Sequence, residues 1–194
     1  IIEDDYDSEF RFDAHPMPTM YTMDGGHRVI YMNSFSKTLA PSIRISYMVL
    51  PRELMEQFQT RLGFYGCTVP SFEQYTLERF LRRGHFEKHI NRLRKSYKIK
   101  RNQVISQLQS CTFSDKLTIE EQDAGLHFLL RLDTAYTDRE LVKLLGDAGI
   151  RAHTLSHYYA GEVPASSRRC LVINYSGLSL DAFRQALEKL AEFL

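Results

Sequence analysis

Between His85 and Leu108 the apolar residues Ile90, Leu93, Tyr97, Val104, Ile105 and Leu108 recur at helical spacing against a face of Lys and Arg. That pattern predicts one long amphipathic helix through the middle of the chain. It constrains everything else, because the segments on its two sides have different grammars. Ahead of it, short apolar runs are separated by polar turns; behind it, strands and helices alternate in a compact series. The domain boundary is therefore expected on this helix, with an α/β part over residues 1–80 and, from 81 to 194, the connecting helix and a small α+β part.

Ile1-Ile2 reads as the end of a hydrophobic strand releasing the polar run Glu3-Asp4-Asp5-Tyr6-Asp7. In open α/β sheets ligands are met at such carboxyl ends. The chain starts there without a Met, and we read it as a fragment. A loop rich in Pro, Met and Gly follows from Pro16 to Gly26, with strands predicted over residues 28–33 and 45–50. Helical spacing returns at Leu54, Phe58 and Leu62, and again through Tyr75, Leu77, Phe80 and Leu81 behind an expected Ser71 cap, until Gly84 breaks it. Past the long helix, strands are predicted near residues 117–120, 127–132, 151–154 and 170–175, with helices over 138–148 and from Leu180 onward behind a Ser179 cap.

Composition removes several functional classes. The chain has 194 residues, 43% of them hydrophobic, which is enough to build a core. Lys plus Arg (25) nearly balance Asp plus Glu (24), so this segment has no net field with which to grip nucleic acid. The basic run from Lys88 to Arg101 is read as the solvated face of the long helix. Cys67, Cys111 and Cys170 have neither CxxC nor Cys/His ligand spacing, so neither a metal site nor a disulfide framework is expected. The histidines His15, His27, His85 and His153 are read as surface or packing residues, and Asp13 and Asp24 as structural. No apolar run approaches the ~18 residues of a membrane span, and a cytoplasmic setting is expected.

One constellation carries chemistry. Ser34-Phe35-Ser36-Lys37 sits in the connection between two predicted strands, with Arg44 following. A pyridoxal-type cofactor needs an amine to hold its aldehyde, an acid to keep its ring nitrogen protonated, and donors for its phosphate. Lys37 offers the amine. Asp4 offers the acid, and Tyr6, two residues further along an extended backbone, points the same way toward the ring hydroxyl. Ser34, Ser36 and Arg44 offer hydroxyl and guanidinium donors to a phosphate dianion. Singly, a Ser-x-Ser-Lys turn or an Asp-Asp-Tyr strand end is most often only a polar loop. Their combination, in this order, carries the argument.

Ser34-Phe35-Ser36-Lys37 with Arg44 resembles the cofactor-lysine signature of fold-type I aminotransferases of classes I and II. The stretches Glu3-Asp4-Asp5-Tyr6-Asp7-Ser8-Glu9-Phe10-Arg11 and Ser42 to Pro51 narrow the resemblance to the MocR branch of GntR-family transcriptional regulators. His89-x-x-Arg92 leading to Tyr97 and Arg101, and Gly125-Leu126-His127, are similar to elements of the same group. The resemblance implies an α/β chain: part of a fold-type I large domain followed by a small α+β C-terminal domain. It further implies pyridoxal 5′-phosphate (PLP) held by Lys37, with Asp4, Tyr6, Ser34, Ser36 and Arg44 around it. A small amine or amino-acid effector, a homodimer, and DNA binding through an N-terminal winged helix outside this sequence are implied as well. The alternative that the same resemblance leaves open is a working PLP-dependent aminotransferase.

Two departures bear on the effector. The last predicted strand, Val172-Ile173-Asn174-Tyr175, has no arginine where aminotransferases clamp a substrate carboxylate. His157 stands before Tyr158-Tyr159 where related regulators carry an arginine. His157, Arg168 and Arg169 are therefore the candidate effector residues. The aromatic ring stacker and glycine-rich phosphate loop of fold-type I sites normally come from the earlier half of the large domain, so PLP is expected to bind weakly or not at all to these residues alone.

Overall fold

The computed structural model describes residues 1–12, 17–120 and 123–194. His15 and Asp13 fall outside them. The chain divides into two compact units, Ile1–Arg94 and Lys95–Leu194.

The first unit is built on a three-stranded sheet of order β1 (Ile2–Asp4), β2 (Ile30–Ser34), β3 (Ser46–Val49). β1 and β2 run parallel, pairing Ile2 with Ile30 and Asp4 with Met32, whereas β2 and β3 are antiparallel, pairing Ser34 with Ser46. The Pro- and Met-rich loop contains a short helix that its composition did not announce, α1 (Met20–Asp24). Thr19 caps it, the Glu3 carboxylate accepts the Met20 and Tyr21 amides at 2.8 and 2.9 Å, and Gly25 ends it at φ 68°. A left-handed residue after the last turn suits glycine, which has no Cβ to clash.

A single turn of helix, α2 (Phe35–Thr38), leads out of β2, and α3 (Arg52–Leu62) and α4 (Ser71–Arg82) follow β3. Pro70 occupies the cap position of α4, so Ser71 is its first helical residue and makes no side-chain cap, contrary to the sequence expectation. Proline suits a helix start because its fixed φ is already helical and no amide is lost there. Both helices show the expected amphipathic spacing, yet neither buries a residue. The buried apolar residues of this unit are Phe10, Val29, Ile45 and Ile90.

Gly84, at φ 68°, separates α4 from α5 (His85–Ser110), the long helix foreseen in the sequence. The second unit carries an antiparallel sheet of order β4 (Leu117–Glu120), β5 (His127–Leu132), β6 (Cys170–Asn174). Central β5 is apolar on successive positions, and Phe128, Leu129, Leu130 and Leu132 are all buried, as a strand covered on both faces requires. Helix α6 (Asp138–Asp147) begins at a reciprocal Thr137–Glu140 capping box and buries Leu141 and Leu145. Helix α7 (Leu180–Leu190) is capped by Ser179 and buries Phe183, Leu187 and Leu190, one helical face. Tyr175 is fully buried, stacks on Phe128 with ring centroids 6.1 Å apart, and donates its hydroxyl to the Gly125 carbonyl.

The strand predicted near residues 151–154 is reduced to one bridge, Thr154 with Leu171. Thr154 and Ser156 share a hydroxyl hydrogen bond of 2.9 Å, and the chain turns at once into a 3₁₀ segment, Leu155–Tyr158. Among the described residues no helix is long and apolar enough to cross a membrane.

Candidate functional site

Parallel pairing brings the carboxyl ends of β1 and β2 to the same edge of the first sheet. Asp4 ends β1, and Ser34 ends β2 with an extended backbone (φ −136°, ψ 147°) before the chain turns into α2. Because paired residues share a sheet face and successive ones alternate, Asp4, Met32, Ser34 and Ser46 lie on one face. The turn is closed by the Phe35 amide donating to the Ile45 carbonyl at 3.0 Å and the Leu39 amide donating to Phe35 at 2.9 Å.

Lys37 lies in that turn with an exposed side chain. Beside it, Arg44 Nη1 donates to Ser36 Oγ at 3.1 Å and to the Pro41 carbonyl at 3.4 Å, and Ser36 Oγ reaches the Ile43 carbonyl at 3.5 Å. Ser36 and Arg44, eight residues apart, are thus joined, with Lys37 adjacent to Ser36 in sequence. Tyr6 is 42% exposed just beyond the end of β1.

The opposite face of the sheet holds a polar cluster that the sequence reading did not single out. Asp5 Oδ2 accepts from Tyr31 Oη at 2.9 Å and from Ser8 Oγ at 2.7 Å. Asn33 Nδ2 donates to Tyr31 Oη at 3.1 Å and to Glu9 Oε1 at 3.5 Å. Burial raises the Glu9 carboxyl above the ordinary glutamate range, and it also raises the hydroxyls of Tyr31 and Tyr47. Glu9 Oε2 is buried with no hydrogen-bond partner among the described residues. One signal was available: neighbouring residues of a strand point to opposite faces, so of Asp4 and Asp5 only one can face a ligand.

The effector candidates lie in the second unit. His157 is exposed in the 3₁₀ segment, with its ring 5.2 Å from that of His153 and 5.6 Å from that of Tyr158. Arg168 and Arg169 are exposed in the loop before β6. Arg168 Nη2 donates to the Val163 carbonyl at 3.2 Å. Arg169 takes a positive φ of 57°, held by its amide on Asp138 Oδ1 and its carbonyl on the Leu132 amide. A 2.8 Å hydrogen bond between the Tyr159 and Ser167 hydroxyls ties the His157 loop to the arginine loop. The described residues contain no His/Cys/Asp/Glu cluster able to hold a metal ion.

The model of the family described as aminotransferase class I and II matches residues 6–190. The chain belongs to that family. Among its curated relatives is an uncharacterized HTH-type transcriptional regulator, YhdI, of Bacillus subtilis (strain 168), 37% identical over 98% of this chain and 40% of the relative. A probable rhizopine catabolism regulatory protein, MocR, of Rhizobium meliloti is 34% identical over 98% of this chain and 38% of its own length. The chain thus spans about two fifths of the length of the curated relatives it matches. Pyrococcus horikoshii kynurenine aminotransferase superposes on 99% of this chain and 46% of its own with a TM-score of 0.79 at 25% identity. This aminotransferase-like chain is accordingly an α/β segment matching about half of a fold-type I structure and similar in sequence to HTH-type regulators, MocR among them. The family implies PLP as cofactor.

Proposed function

We propose that the chain is part of a PLP-binding, effector-sensing domain of a DNA-binding transcriptional regulator, with residues 1–80 contributing the cofactor side and 81–194 the connecting helix and small domain. The observation that carries this reading is the Ser36–Arg44 hydrogen bond beside exposed Lys37, in the turn that follows β2, the strand parallel and adjacent to the one that ends in Asp4. The donor set fits the group: one amine, one carboxylate, and a hydroxyl–guanidinium pair suited to a phosphate.

When bound, PLP supplies an electrophilic carbon and an electron sink. Lys37 would hold the cofactor through its amine, the Asp4 carboxylate would keep the ring nitrogen protonated, the Tyr6 hydroxyl would serve the ring oxygen, and Ser34, Ser36 and Arg44 would bind the phosphate. A small amine or amino acid would compete with Lys37 for the cofactor, and a difference in affinity between the lysine-held and ligand-held states is what a ligand-driven switch would require. Within the second unit, His157, Arg168 and Arg169 are the candidate groups for recognising an acidic effector. DNA contact belongs to regions of the regulator relatives beyond the two fifths matched here. The working protein is a cytoplasmic homodimer in this reading.

The structural likeness to kynurenine aminotransferase favours a second reading, an active aminotransferase in which released Lys37 moves a proton on the substrate. Both readings require Lys37. Borohydride reduction of the intact protein with PLP, followed by peptide mass mapping, is expected to place the cofactor on Lys37 and to show none in Lys37→Ala. Labelling that persists in the variant refutes the assignment. Product formation from amino donors under single-turnover conditions then separates enzyme from sensor.

A further inference from the structure

The cofactor reading leaves the other face of the first sheet without a role, although its polar groups include some of the most buried in the chain. Asn33 is 5% exposed. The hydrogen bonds from Ser8 and Tyr31 to Asp5, and from Asn33 to Tyr31 and Glu9, form one continuous chain of side chains. It starts at the residue after β1 and reaches the next-to-last residue of β2. Those two strand ends carry Asp4 and the Lys37 turn. The Asp5 amide also donates to the Met32 carbonyl at 2.9 Å, and Arg94 Nε holds the Glu9 carbonyl at 2.9 Å.

We propose that the Asp5–Tyr31–Asn33–Glu9 chain is a positioning device that fixes the Asp4 carboxylate relative to the Lys37 turn, and this rests on the cofactor reading above. The parallel pairing of β1 with β2 covers only three residue pairs, so the backbone ladder alone specifies its register weakly. A network of half-buried polar side chains centred on buried Asn33 adds to that specification, because displacement separates donors and acceptors that are partly shielded from water. Tyr31 is the hinge of the chain: its hydroxyl donates a hydrogen bond to Asp5 and accepts one from Asn33. Burial holds that hydroxyl protonated, so it donates throughout the working pH range. The network also resolves an ambiguity at the strand end, where two carboxylates stand side by side. By engaging Asp5 on the back face, it leaves Asp4 as the carboxylate on the face of Ser34.

Tyr31→Phe removes the hydroxyl and keeps the ring that packs 6.4 Å from Tyr21 and 6.2 Å from Tyr47. In the intact protein titrated with PLP, three quantities are measured: the dissociation constant, the ratio of visible circular dichroism to absorbance for the bound cofactor, and the thermal midpoint without cofactor. The variant is expected to bind PLP about tenfold more weakly, through loss of the hydroxyl that joins half-buried Asp5 to buried Asn33, and to change the dichroism ratio. The ratio reads the orientation of whatever cofactor is bound, so a purely structural role would leave it unmoved. A wild-type affinity and ratio in Tyr31→Phe overturn the proposal. Should that variant not fold, Ser8→Ala removes a single donor from Asp5 at the edge of the network; an altered ratio supports the proposal and an unaltered one overturns it. The two levels of failure are distinguishable. Absence of reducible cofactor on Lys37 in the wild type defeats the cofactor reading and this proposal with it, whereas a normal Lys37 adduct with a silent Tyr31→Phe defeats the positioning role alone.

Discussion

Arg44→Gln tests the phosphate end of the site most directly. The guanidinium spends Nη1 on Ser36 and Pro41, and neither Nε nor Nη2 has a hydrogen bond among the described residues. Two donors are thus available for a phosphate in the fork geometry that suits arginine. A charge-assisted hydrogen bond contributes about 1.5–3 kcal/mol, and exposure of Arg44 to solvent argues for the lower end of that range for the pair. A loss of about 1.5–2 kcal/mol corresponds to a dissociation constant raised about 10- to 30-fold. The comparison ligand is pyridoxal, which offers the same aldehyde and ring without the phosphate. Absorbance titrations of wild type and Arg44→Gln with both ligands form a cycle in which Arg44 and the phosphate are each removed. Pyridoxal affinity is expected to change by less than about twofold, so that nearly the whole effect appears as coupling. Raising the ionic strength should shrink the difference, since an exposed cation is screened. Equal weakening of both ligands would refute the assignment, because Arg44 would then be acting on the turn and not on the phosphate.

Further expectations follow from burial. Glu9→Gln keeps an oxygen for Asn33 to donate to but cannot ionise. The native Glu9 carboxyl is raised by burial, so its contribution to stability is complete below the unfolded glutamate value and is lost as pH rises through the raised native value. The variant should therefore melt higher than wild type at neutral pH and equally at pH below the ordinary glutamate range; thermal melts at both pH values check the sign. Leu130 is 1% exposed in the central strand of the second sheet, and Leu130→Ala is expected to cost about 3 kcal/mol in urea denaturation of the intact protein. A loss under about 1 kcal/mol would mean that the strand is not the core element described here.

Much of the second unit was legible because its pattern and its packing agree. The apolar run 127–132 became β5 with four buried residues, and the Ser179 cap stands where its spacing placed it. Where tertiary pairing decides, the sequence fell short. The strand predicted near residues 151–154 keeps one bridge, and the chain turns at the local Thr154–Ser156 hydrogen bond into a 3₁₀ segment. Helix α1 escaped notice because one of its main supports is a carboxylate seventeen residues upstream, Glu3 on the Met20 amide. In the first unit the spacing of Leu54, Phe58 and Leu62 predicted a helix correctly but said nothing about its burial, which amphipathicity alone does not fix. The candidate site shows the same division. Ser36, Lys37 and Arg44 could be nominated from a short motif, and their grouping is local. The Asp5–Tyr31–Asn33–Glu9 chain joins residues that no short motif contains, and only the strand register brings them together.

That register has a kinetic consequence. Ser34 pairs with Ser46 across a short hairpin that encloses Lys37 and Arg44, whereas Ile2 pairs with Ile30 only after a much longer stretch of chain has closed. Each doubling of loop length adds about 0.6 kcal/mol of closure entropy, and parallel pairings of this kind form late. On closure entropy the lysine-and-phosphate pole is expected to organise before the carboxylate pole. A chain caught between those two events would already own its nucleophile while lacking the acid that gives the nucleophile its purpose.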